Sequence, residues 1–198
     1  MAPILGIYAS QMSGHLVVPN SYASIATVTV GSGGASSISF NSIPSTYTHL
    51  QLRGGFIPTS TDFSAVFRLN GDSSFSNYVA HTLSGNGSAT EATNSTSYTP
   101  SSLRILYSQD ATNSSISAAF VLDILDYANI NKYKTSKALA GIDSNGASSS
   151  NRISFASGLW MSNSVVNSLT IYSAQGGYGV NLGSSFSQYS TFSLYGVK

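Results

Sequence analysis

Phe63, Ala65, Phe67 and Leu69 occupy every second position of one short stretch, and strict alternation of this kind describes a strand with one face in a core. The same period of two recurs in short runs along the chain. They are "ASIATVTV" (23–30), "ASSISF" (35–40), "YTHLQLRG" (47–54), "FSAVFRLN" (63–70), "NYVAHTL" (77–83), "SLRILY" (102–107), "SAAFVLDILDY" (117–127), "YKTSKALAG" (133–141), "RISFASGLW" (152–160), "VNSLTIYS" (166–173) and "STFSLYGV" (190–197). β-branched and aromatic residues enrich these runs, and turn signals separate them at intervals of about 8–12 residues. No window longer than about ten residues carries a helical period. The stretch from Ala128 to Lys134, where one helical turn would fit, reads as a loop. About eleven strands with this punctuation predict an all-β protein, an antiparallel β-sandwich of jelly-roll-like topology.

The inward faces follow from the alternation. Phe63, Ala65, Phe67 and Leu69 are expected to meet Phe120, Leu122 and Ile124, then Ile153, Phe155 and Leu159, Leu169 and Ile171, and Phe192 and Leu194. "GSGG" at 31–34 and Asn70-Gly71 read as tight hairpin turns, because glycine and asparagine accept the positive φ that such turns need. Two long loops are expected, at 84–100 and 143–151.

The first twenty residues stand apart. Ile4, Leu5, Ile7, Tyr8, Met12 and Leu16 crowd into "MAPILGIYASQMSGHL", and an apolar, glycine-punctuated segment ahead of the first strand reads as an assembly arm that adds a strand to a neighbour or fills its groove. The organisation expected is therefore an arm over 1–20 and a β-sandwich domain over 21–198. A strand closing the chain's own sheet is the alternative for that segment. It lacks the basic n-region and unbroken apolar run of a secretion signal, and no stretch approaches the ~18 apolar residues of a membrane span, so no membrane insertion is expected.

Composition narrows the partners. Charged residues make up 8% of the chain, with eight Lys and Arg against seven Asp and Glu and a net charge of +1. The scattered basic residues offer no counterion-release term, so nucleic acid is not an expected partner. With no cysteine, thiolate metal sites and disulfides are excluded, and synthesis in a cytoplasm is expected.

Motifs for chemistry are absent. His15, His49 and His81 stand beside abundant serine without a G-x-S-x-G elbow, so a triad has no sequence support. Asp123 and Asp126 form the closest carboxylate pair, but residues three apart on a strand point to opposite faces. Asp123 is expected on the polar face opposite a lysine of "KYKTSK", and Asp126 at the start of a turn. His49 is expected on the outer side of a strand whose Leu50 and Leu52 point inward. No metal-ligand spacing occurs, and the expectation is a protein without enzymatic activity, cofactor or metal. Twelve Tyr, nine Phe and the single Trp leave one binding alternative, a glycan platform using Tyr98, Trp160 and Tyr178 with the two long loops.

The blocks "ILGIYASQMSG", "SIATVTVGSGGASSISFNSIPSTYTHLQLRG" (24–54), "RLNGDSSFSNYVAHTLSGNG" (68–87), "DILDYANINKYKT" (123–135) and "SQYSTFSLYGVK" (187–198) resemble a family of small structural proteins of tailed bacteriophages, common in aquatic and cyanobacterial viruses. The resemblance implies a component of the virion exterior, either a capsid decoration protein or part of a fibre or tail appendage. It brings no catalytic residues. The partners it implies are other virion proteins and copies of the chain itself, with a trimer as the first expectation. A glycan-binding adhesion module for attachment to the host surface is the alternative function.

Overall fold

A computed structural model of the protein describes residues 21–60, 62–94, 101–109, 116–143, 151–175 and 184–198. The arm expected over 1–20, with its six apolar residues, and both Tyr98 and Tyr178 lie outside the described residues.

Twelve strands appear among the described residues, in chain order β1 (Tyr22–Thr29), β2 (Ser37–Phe40), β3 (His49–Phe56), β4 (Asp62–Leu69), β5 (Tyr78–Gly85), β6 (Thr90–Asn94), β7 (Leu103–Gln109), β8 (Ala118–Leu125), β9 (Lys134–Ile142), β10 (Arg152–Trp160), β11 (Leu169–Ala174) and β12 (Thr191–Val197). They form two antiparallel sheets. One has eight strands in the order β1-β12-β3-β8-β9-β10-β5-β6, and the other has four in the order β2-β11-β4-β7. The all-β sandwich read from the sequence is what the chain forms.

The topology is a rolled double ribbon. β1 pairs with β12, β2 with β11, β3 with β8 and β4 with β7, all antiparallel. The first four strands thus run against the last four of an eight-strand set, which is the wrapping of a jelly roll. Two hairpins are inserted into it. β5 with β6 falls between β4 and β7, and β9 with β10 falls between β8 and β11. All four inserted strands extend the larger sheet beyond β8.

This ribbon overrides two of the expected hairpins. Asn70 and Gly71 have φ of 52° and 66°, and Asp72 N donates to Leu69 O at 3.0 Å, so the tight turn is present. It does not join paired neighbours, however, because β4 and β5 belong to different sheets. The glycines at 33 and 34, also with positive φ, likewise carry the chain from β1 in one sheet to β2 in the other. Turn chemistry fixes a local reversal; pairing between distant strands decides where the chain goes next.

The expected loop at 84–100 contains a strand. Asn86 Oδ1 accepts from the backbone N–H groups of Ser88 and Ala89, Gly87 takes a φ of 89°, and the chain returns as β6 along the edge of the sheet. "TEATN" carries no alternating large apolar residues, so periodicity misses it. From Ala128 to Tyr133 the chain is a loop, as expected, and Lys134 opens β9.

The core has two regions of different grain. Phe56, Phe63, Phe120, Phe186 and Phe192 are buried and touch ring to ring with centroids 4.9–6.3 Å apart. Beside them, Leu103 and Ile105 of β7 are buried over the inserted strands, whose middle inward positions are small: Ser136, Ala138 and Ala140 on β9, Ser154, Ala156 and Gly158 on β10. A Cβ on Gly158 would lie 2.8 Å from Leu103 Cδ2. Facing sheets sit about 10 Å apart, so large residues on one must meet small ones on the other.

That constraint reverses β10. Ile153, Phe155 and Leu159, expected inside, lie on the other face, with Ile153 63% and Phe155 48% exposed. Ser154, Ala156, Gly158 and Trp160 point inward instead. The remaining expected core residues, on β4, β8, β11 and β12, are buried.

Candidate functional site

The reversal of β10 places large apolar side chains in water. Leu83 on β5, Phe155 on β10, Leu139 on β9 and Val121 on β8 are all exposed. The registers align them: Leu83 lies opposite Phe155, Phe155 opposite Leu139, and Leu139 opposite Val121. Cross-strand neighbours place their Cβ atoms about 4.5–5.5 Å apart, so the four side chains form one continuous ridge across the sheet.

Hollows flank the ridge. One of about 340 Å3 is lined by His81, Leu83, Ala92, Asn94, Phe155 and Ser157. Another of about 440 Å3 lies among Arg53, Gly54, Val121, Leu139, Gly141 and Ile153. Gly141 on β9 stands opposite Ile153 on β10, so a protruding side chain and an open position are side by side.

A polar band borders the ridge on the same face. His81, Ser157, Lys137, Asp123 and Gln51 follow one another across β5, β10, β9, β8 and β3. Gln51 Nε2 donates to Asp123 Oδ1 at 2.6 Å, Arg53 Nε donates to Gln51 Oε1, and the Arg53 guanidinium lies over the rings of Tyr22 and Tyr195 at 4.7 and 5.3 Å. Asp123 lies opposite Lys137 as the sequence predicted. An apolar centre with a hydrogen-bonded polar edge is how protein interfaces are arranged.

Trp160 is not part of this surface. Its side chain is 2% exposed, and its Nε1 donates to Asp72 Oδ2 at 2.7 Å. A buried indole cannot stack on a sugar, so its expected glycan role is corrected to a structural one. Asp72 also accepts from Asn77 Nδ2 and Ser74 N; burial works to raise its carboxyl, and these bonds with that from Trp160 outweigh it, holding the pKa at about 2. Tyr78, whose hydroxyl donates to the Asp72 carbonyl, is pushed up by burial.

A second structural cluster of ionisable groups surrounds the turn after β8. His49 Nδ1 accepts from Asp126 N at 2.9 Å, and Asp126 has a φ of 50° and pairs with Lys132. That hydrogen-bonded ammonium holds the Asp126 carboxyl below its usual range. Leu50 and Leu52 are fully buried beside His49, as expected. Lys134, 1% exposed, donates through Nζ to the carbonyls of Asn129, Lys132 and Ser162; burial lowers its pKa and Asp126 opposes that shift. Among the described residues no three metal-ligating side chains converge.

The chain matches no protein-family model, no curated protein and no solved structure. Its chemistry is therefore read from its own surface. What the ridge, hollows and band offer is burial of apolar area against a complementary partner.

Sequence reasoning found Phe155 and Ile153 but turned them inward. The missed signal was present: on β9 and β10 small residues alternate with larger ones, and two adjacent strands with small residues on one side mark a closely covered inner face.

Proposed function

We propose that the protein is a structural subunit of a tailed-bacteriophage virion, made in the host cytoplasm and carried on the particle exterior as a capsid decoration or as part of a fibre or tail appendage. It acts by oligomerisation and surface contacts, without catalysis. The observation that carries this reading is the ridge of Leu83, Phe155, Leu139 and Val121 left in water. Proteins that work alone rarely expose contiguous apolar patches beyond a few hundred Å2, and larger ones mark sites of association.

Two further observations support it. The sequence blocks that resemble phage structural proteins run from one end of the chain to the other. The jelly roll serves both viral capsids and lectins, so the fold agrees with the reading without selecting it. Residues 1–20 are the proposed anchor to a neighbouring virion protein, through Ile4, Leu5, Ile7, Tyr8, Met12 and Leu16.

Cosedimentation tests the reading. Purified chain is mixed with particles, emptied heads and detached tails of the phage that encodes it; saturable binding to one of these is expected. No binding to any of them, with release of reducing sugar from host envelope instead, overturns it.

A further inference from the structure

We infer that the outer face of the eight-stranded sheet docks against the same face of a second copy of this chain, about a two-fold axis running parallel to the strands between β9 and β10. This rests on the assembly reading above and names the partner of its surface.

Size supports this. Under that axis β10, β5 and β6 of one copy lie over β9, β8 and β3 of the other, leaving β12 and β1 outside the overlap. Six strands at about 4.8 Å spacing, with roughly seven residues each at about 3.4 Å per residue, give a face on the order of 700 Å2. Stable interfaces take roughly 600–1,000 Å2 from each partner. Twist supports it too: a sheet packs best against another whose twist matches, and a copy of itself meets that condition with the mean strand directions of the two copies within about 30° of each other.

The two surfaces are also complementary under that axis. The rotation brings β10 over β9 and β5 over β8 of the other copy. Phe155 then faces Leu139 and Leu83 faces Val121, so the ridge meets itself. Ile153, which protrudes at 63% exposure, lies over Gly141 in the hollow of about 440 Å3. In the polar band His81 meets Asp123 and Ser157 meets Lys137, which puts no like charges together. Each of these contacts occurs twice, as an isologous interface requires. A trimer is the first expectation for this chain, whereas the geometry of this face favours a two-fold contact.

The test uses the full chain in sedimentation, with circular dichroism as the control for folding. Wild type is expected to dimerise. Phe155→Lys and Leu139→Glu alone each bury an unpaired charge at the axis, and each is expected to weaken dimerisation at least about 100-fold. Mixed together, the two variants are expected to form a heterodimer, because Lys at 155 then faces Glu at 139 while the other half of the interface stays native. Phe155→Ser replaces Phe155→Lys as the dimer-weakening variant if the lysine prevents folding. A monomeric wild type, for instance one whose face is covered by its own residues 1–20, overturns the proposal. So do variants that dimerise normally, or a mixture that stays monomeric. Particle binding separates the two readings: if wild type binds particles while the dimer test fails, only this docking is wrong, and if it dimerises through Phe155 but binds no particle, only the virion reading is wrong.

Discussion

Trp160 donates its indole N–H to Asp72 at 2.7 Å, tying the last residue of β10 to the turn that leads from the small sheet to the large one. Asp72 also accepts from the Asn77 side chain and from Ser74 N. The inserted β5-β6 hairpin is thereby fastened to the jelly roll at the point where it departs.

This arrangement has a pH signature. The Asp72 carboxyl is held at about 2 in the folded chain against 3.8 for the free group. A depressed carboxylate contributes stability above its unfolded value and loses it as pH falls through 3.8 towards about 2. Urea titrations between pH 5 and 2 should show that loss in wild type and a shallower one in Asp72→Asn. At pH 7, Asp72→Ala should cost about 1–3 kcal/mol, since Trp160 and Asn77 lose their acceptor.

Two lysines near one turn should behave differently. Lys134 is buried and donates to three carbonyls, so Lys134→Ala leaves those acceptors without a donor and should cost about 1–3 kcal/mol. Lys132, with a side chain 55% exposed, pairs with Asp126 at the surface, and Lys132→Ala should cost about 0–1 kcal/mol. Denaturation midpoints of the two variants provide the comparison.

The reversed face of β10 yields a sharper contrast. Ala156→Asp places a charge under β7, where Ala156 is 3% exposed, and should unfold the chain or cost several kcal/mol. Phe155→Asp, one residue away and 48% exposed, should change monomer stability by less than about 1 kcal/mol. Equal effects would contradict the assignment of faces.

How much of this the sequence discloses depends on the strand. On β4, β8 and β12 the phenylalanines and most of the leucines and isoleucines fall on one side, so Phe63, Phe120 and Phe192 are legible as core. On β10 both sides carry apolar or small residues, and size alone favoured Ile153 and Phe155. The side that turns inward is set by the bulk of Leu103 and Ile105 on β7, which lie about fifty residues away in the chain. The same limit hid the site. Leu83, Phe155, Leu139 and Val121 are separate in sequence and become a ridge only through the order β8-β9-β10-β5. β6 left no apolar trace, since its five residues form a polar edge.

Removal of residues 2–16 separates the arm from the face. The shortened chain is expected to keep its fold and its self-association while losing attachment to virus particles, measured by circular dichroism, sedimentation and particle binding. A shortened chain that unfolds would make the segment a strand of its own sandwich.

Sedimentation equilibrium over a concentration series reads self-association through the sheet face. The 20.6 kDa chain is expected to pass to twice that mass as concentration rises, and Phe155→Ser with Leu83→Ser is expected to hold it at the monomer mass with an unchanged unfolding midpoint. A wild-type chain that stays at the monomer mass at every concentration, its outer sheet face still open to solvent, would contradict that association.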